Sequence, residues 1–174
     1  MSCESENILK QAENLKKTKG RIDIIEMANS LGIKVFTSSQ MKVPSFIAYD
    51  KDKKRYEIYV NAREKVERQR FSIAHEIAHF IEHKEKITEL GIVGRQNTYS
   101  LTAKEELQAD NLAAEILMPK NCIEEFLKQN NVSKETKIDE KTVRKLASEF
   151  GVSVLSAIIR LRSLGYYVKY IELH

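Results

Sequence analysis

Cysteine is scarce in this chain. Its 174 residues include two, Cys3 and Cys122, too few for a disulfide framework. Both are expected to be reduced, as in a cytoplasm. Neither has a Cys or His neighbour at metal-ligand spacing. Long apolar runs are missing as well: nothing approaches the ~18 residues a membrane span needs, so no membrane partner is expected. The opening Met-Ser-Cys-Glu-Ser-Glu-Asn lacks the basic-then-apolar order of a secretion signal, and a cytoplasmic location is expected. Strong charge imbalance is absent: a net charge of +4 does not by itself argue for nucleic acid or membrane. Internal repeats and low-complexity segments are absent too. What remains is an ordinary globular composition, 42% hydrophobic and 31% charged. The length suits one domain with a real core, or one domain with a small appendage.

Histidine is also rare, and its placement is informative. Of four histidines, three fall between His75 and His83. They lie in Phe71-Ser-Ile-Ala-His-Glu-Ile-Ala-His-Phe-Ile-Glu-His83, which contains His75-Glu76-Ile77-Ala78-His79, the pattern H-E-x-x-H. Residues four apart share one face of a helix, roughly 6 Å apart. Two imidazoles so placed can grip one metal ion, and Glu76 points to the same side, where it can take a proton from an attacking water. Phe71, Ile73, Ala74, Ile77, Ala78, Phe80 and Ile81 surround the polar triplet. A helix that apolar is buried. Burying three polar groups without partners costs several kcal/mol, so they must be paired or metal-bound.

The rest of the chain frames this helix. Ile8, Leu9, Ala12 and Leu15 mark a first helix ending near Gly20, and Ile22 to Leu31 a second ending at Gly32. Ile33–Phe36 reads as a short strand. Phe46–Tyr49 and Tyr56–Val60 flank a polar turn and predict a hairpin. After His83 the periodicity fades, and residues 84–100 read as an exposed loop, a lid or substrate rim. Thr102-Ala-Lys-Glu105 fits a capping box opening a helix through Leu117. Pro119 starts a further helix, Asn121–Gln129. Leu146–Gly165 reads as helix–turn–helix with Gly151 in the turn, and Tyr166–Ile171 has strand composition, with an extended tail as the alternative. Residues 1–130 and 131–174 are expected to be the metal-binding domain and a helical segment packed on it, or one continuous domain.

A catalytic zinc site needs three protein ligands. His83 is eight residues from His75, about 12 Å along a continuous helix, too far to share one ion. The metzincin pattern fails because Glu82 and Glu85 occupy its glycine and last histidine positions. The third ligand is therefore sought on another helix. In 103–117, Glu106 lies on the inward stripe with Ala109 and Ala113, and Asp110 shares its face. A buried Glu–Asp pair needs a cation or a histidine N–H beside it. Glu106 is assigned as the ligand and Asp110 as the carboxylate that orients a ligand histidine. Glu105 is left to the cap.

Two stretches resemble the ImmA/IrrE family of metallopeptidases: Arg70 to His83, and Glu106-Leu-Gln-Ala-Asp-Asn-Leu-Ala-Ala-Glu-Ile-Leu-Met-Pro119. Ile58–Asn61 and Leu146–Ser153 are similar to the family as well, so the likeness runs from about Ile22 to Gly165. The resemblance implies an α+β fold, a minimal zincin-like (gluzincin) domain: a small sheet packed on a metal-binding helix pair, with a helical C-terminal part. It implies zinc at His75, His79 and Glu106, with Glu76 as general base. It also implies a protein substrate, a helix-turn-helix repressor whose cleavage switches on mobile-element or stress genes. Leu112 stands where phenylalanine is common in the family.

The C-terminal helices do not read as a DNA grip. Residues 130–174 hold eight Lys and Arg against five Asp and Glu, and Val154 to Leu161 is largely apolar. Direct DNA binding is not expected. The expected activity is a zinc endopeptidase. The alternatives are a zincin scaffold that binds a transcription factor without cutting it, and a DNA-binding regulator. Tyr99, Tyr166 and Tyr167 are candidate donors to the reaction's oxyanion.

Overall fold

Residues 3–19, 21–93 and 101–169 are described in a computed structural model. Helix α1 (Cys3–Lys19) buries Ile8, Leu9 and Ala12, the positions that recur at helical spacing. Helix α2 (Ile24–Ser30) starts at Asp23, whose carboxylate accepts hydrogen bonds from the Ile25 and Glu26 amides. Those amides have no partner inside the helix, so the cap fixes its start.

Strands β1 (Ile33–Ser38), β2 (Ser45–Asp50), β3 (Arg55–Asn61) and β4 (Ile92–Val93) form one sheet in the order β1-β3-β2-β4. β2 and β3 make the expected antiparallel hairpin, with Ile47 opposite Ile58. The Asp50 carboxylate accepts from the Asp52 and Lys53 amides and shapes the turn. β1 runs parallel to β3 on its far side. Side chains alternate along a strand, so Ile47, Ile58 and Val60 fall on one face, and all three are fully buried. Ser45 belongs to that face by the same alternation. Helix α3 (Val66–Leu90) packs against it.

α3 is longer than the sequence reading allowed. Residues 84–100 were expected to be an exposed loop, but the helix continues to Leu90 and Ile92–Val93 pairs with β2 as β4. The physical reason is that a surface helix needs only one apolar side. Lys84, Glu85, Lys86 and Glu89 are good helix formers, and Ile87 alone supplies the buried contact. Residues 94–100 of that expected loop, Tyr99 among them, lie outside the described residues. Nor is α3 continuous: His83, at φ −136 and ψ 26, interrupts it.

Helix α4 (Ala103–Leu117) opens on the predicted capping box. The Thr102 hydroxyl accepts from the Glu105 amide, and the Glu105 carboxylate accepts from the Thr102 amide. That second bond, to the Thr102 backbone, holds the Glu105 carboxyl down to about 2. α4 buries Ala109, Leu112, Ala113, Ile116 and Leu117. Pro119 precedes α5 (Lys120–Gln129). Helices α6 (Glu140–Phe150) and α7 (Val154–Ser163) meet at Gly151, whose φ of +63 suits glycine best. The buried Arg70 of α3 reaches this turn: its Nε donates to the Gly151 carbonyl at 3.0 Å and a terminal nitrogen to the Phe150 carbonyl at 3.5 Å. Burial pulls the Arg70 guanidinium down to about 10, still a cation at neutral pH. After α7, Val168 pairs with Ile138 in a single parallel bridge, all that forms of the expected last strand among the described residues. No helix among those residues is long and apolar enough to cross a membrane.

Candidate metal centre

The H-E-x-x-H stretch occupies the middle of α3, where the helix is enclosed between the sheet and α4. His75, Glu76 and His79 are at most 1% exposed. Their helical spacing brings the two Nε2 atoms within 2.9 Å, with ring planes near perpendicular at 88°. From α4, Glu106 faces them: Oε2 is 3.4 Å from His75 Nε2 and Oε1 is 3.5 Å from His79 Nε2. Among the described residues, these three side chains form the group whose donor atoms all lie within 4.8 Å of one another.

The donor set fits a zinc ion. Ligands ~2.1 Å from a tetrahedral zinc stand about 3.4 Å apart. Both histidine–glutamate distances match that edge, and the imidazole pair is somewhat closer. Two neutral nitrogens and one carboxylate oxygen are ordinary zinc donors, and a carboxylate that faces two imidazoles at this range gains most from a cation between them.

Behind the donors, His75 Nδ1 lies 2.8 Å from Asp110 Oδ1. A proton kept on Nδ1 by that carboxylate leaves the Nε2 lone pair available to a metal. Glu106 and Asp110 are not the buried pair that their spacing on α4 predicts. Their side chains are 28% and 42% exposed. α4 buries Ala109, Leu112 and Ala113 against the core, and the two acids stand at the edge of that stripe, reaching across to α3 from a rim open to solvent.

Glu76 is fully buried, and its Oε1 accepts a hydrogen bond from Ser45 Oγ at 2.7 Å. Ser45, itself 2% exposed, was missed by sequence reasoning. Its signal was faint: a lone hydroxyl at the first inward position of a strand whose next inward residue is Ile47.

His83 lies apart from the donor group. Its ring centroid is 5.7 Å from that of His79. The helix breaks at His83, so the rise of a straight helix does not set its distance from His75. Even so, the group within 4.8 Å contains His75, His79 and Glu106. Tyr166 and Tyr167 sit at the Ile138–Val168 bridge, with Lys134 and Lys137 over their respective rings.

A family model for the IrrE N-terminal-like domain (Peptidase_M78) matches residues 28–162. Among solved structures, a Mycobacterium tuberculosis transcriptional regulator is similar, with a TM-score of 0.54 at 16% identity. The match covers 90% of this chain and 46% of that one, so the likeness is one of fold and spans less than half of the other protein. No curated protein sequence matches. With most of its length under the family model, the α+β chain belongs to the IrrE N-terminal-like peptidase family.

Proposed function

We propose that this protein is a zinc-dependent endopeptidase that cuts one specific protein, a helix-turn-helix repressor of mobile-element or stress genes. The observation that carries the reading is the convergence of the His75, His79 and Glu106 donors beside a buried glutamate on the same helix. In this reading His75 and His79 hold zinc through Nε2 and Glu106 through a carboxylate oxygen. Asp110 keeps the proton on His75 Nδ1 and fixes the ring. Bound there, zinc supplies Lewis acidity, polarising the scissile carbonyl and lowering the pKa of water to around 7. Glu76 takes a proton from the attacking water and passes it to the leaving amine nitrogen. The Ser45 hydroxyl, bonded to Glu76 Oε1, holds that carboxylate in one orientation for both transfers.

The α6–α7 pair serves the substrate rather than DNA. Arg160 of α7 is engaged inside the protein, its Nε donating to the Met118 carbonyl and a terminal nitrogen pairing with Glu115 at 3.2 Å. Arg162 is the one arginine that α7 leaves exposed, a sparse supply of cations for reading a groove. The test is direct. Zinc-loaded protein is incubated with purified helix-turn-helix repressors encoded beside it, and the products are weighed by mass spectrometry. Discrete fragments that vanish with a chelator and with Glu76→Gln support the reading. Intact repressor bound equally by both forms points to the non-cleaving scaffold instead.

A further inference from the structure

A cleft of about 450 Å³ opens beside the first histidine of the metal group. Its walls come from three helices that are far apart in sequence. α3 contributes Phe71 and Arg68, α4 contributes Leu107 and Asp110, and α7 contributes Leu155 and Ile159. Asp110 ties the cleft to the metal centre, since the same carboxylate is 2.8 Å from His75 Nδ1. Phe71 is one helical turn before His75.

The lining is unusual for a monomer surface. Leu107, Leu155 and Ile159 are 60%, 51% and 59% exposed, and all three border this one concavity. Single exposed aliphatics are common, but three around a cleft that adjoins a buried polar centre mark a binding site. The α7 wall is held in place rather than loosely attached. Arg160 fastens α7 to the end of α4, and Arg70 fastens the α6–α7 turn to α3. Arg68, stacked toward Phe71 with its guanidinium 6.0 Å from the ring centroid, adds a cation to the cleft. Lys65 adds a second cation and Glu67 an acid, while Asp110 is engaged with His75.

We infer that this cleft is the specificity pocket of the proposed peptidase: it takes a large apolar side chain of the polypeptide substrate, flanked by an acidic residue, close to the bond being cut. The inference rests on the endopeptidase reading, and it gives α7 a role in choosing the substrate. The apolar side chain fills the space between Leu107, Leu155 and Ile159, and the acidic neighbour meets Arg68. The occupant is a segment of the substrate because two residues of the cleft wall stand against His75, Asp110 at 2.8 Å from Nδ1 and Phe71 with its ring centroid 6.4 Å away.

The probe is a positional library of fluorescein-labelled octapeptides, titrated by anisotropy against zinc-loaded Glu76→Gln protein. Peptides with Leu, Ile, Met or Phe at one position should bind at least tenfold more tightly than those with Ser or Asn there, with a smaller preference for Asp or Glu beside it. Ile159→Asp and Leu107→Asp, both at exposed positions, should each abolish the apolar preference while leaving zinc stoichiometry intact, and Arg68→Glu should reverse the acidic one. Equal binding of apolar and polar peptides would overturn the inference, as would a preference that survives both aspartate variants. A concentration-dependent dimer dispersed by Ile159→Asp would assign the cleft to a second copy of this chain and overturn it as well. The wild-type enzyme with the same library separates this inference from the activity. Binding preference without cutting refutes the peptidase, and cutting without an apolar preference refutes the pocket.

Discussion

His75 and Asp110 sit 2.8 Å apart, one on each of the two helices that build the candidate metal centre. The contact places a carboxylate behind an imidazole, on the nitrogen that faces away from the other donors. It also ties α4 to α3 at the solvent-facing edge of the site, so the helix that carries Glu106 also carries the acid beside the first histidine.

Asp110→Asn should therefore weaken zinc binding without unfolding the chain. Partners of this kind typically contribute 10–100-fold in metal affinity, and a loss of that order is expected here. Competition against a chromophoric chelator reads it, with circular dichroism as the control for folding. An unchanged affinity would remove Asp110 from the account.

Ser45→Ala should lower kcat far more than it changes KM. The hydroxyl is bonded to Glu76 rather than to substrate, and its loss leaves a fully buried carboxylate oxygen short of a donor. Leaving a buried polar group unsatisfied costs about 1–3 kcal/mol, so a drop in thermal stability should accompany the rate loss. Ser45→Thr keeps a hydroxyl and should recover part of kcat. Steady-state kinetics on a cleaved repressor measures both.

Arg70→Leu should destabilise the protein by roughly 2 kcal/mol, since hydrogen bonds to charged groups contribute about 1.5–3. The Gly151 and Phe150 carbonyls lose their donor, and the α6–α7 turn loses its tie to the metal helix. Urea denaturation should show the shift. If α7 walls the substrate cleft, KM should rise in the same variant.

Acid should loosen α4 through its cap. The Glu105 carboxyl is held down to about 2 by its bond to the Thr102 backbone, below the ordinary value near 4.5 that it regains on unfolding. A depressed carboxyl contributes stability that is present in full above about 4.5 and is lost as pH falls toward 2. Glu105→Gln removes that dependence, so the wild-type advantage measured at pH 6 should shrink between pH 4.5 and 2. Thr102→Ala should cost about 1 kcal/mol at neutral pH.

Much of this architecture is legible in the amino-acid order because it follows from short-range rules. The H-E-x-x-H spacing puts His75 and His79 on one helix face, Thr102 and Glu105 announce the start of α4, and Gly151 marks the left-handed turn between α6 and α7. What stays hidden depends on partners distant in sequence. β4 is two residues long and exists only because β2 offers an edge. The parallel pairing of β1 with β3 has no turn to signal it. Ile87 looks isolated among lysines and glutamates, yet the fold buries it completely. Ser45 acquires meaning only when the strand lies against α3 and its hydroxyl meets Glu76. The exposure of Glu106 and Asp110 is likewise set by how α4 seats on α3, which spacing along α4 alone does not determine.

The most direct test of the metal centre is a zinc titration of chelator-stripped protein, comparing wild type, Glu76→Gln and Glu106→Ala. The arrangement of His75, His79 and Glu106 predicts one tightly bound zinc per chain in the first two and an affinity at least a hundredfold weaker in Glu106→Ala. Tight stoichiometric zinc in Glu106→Ala, or none in the wild type, would contradict it.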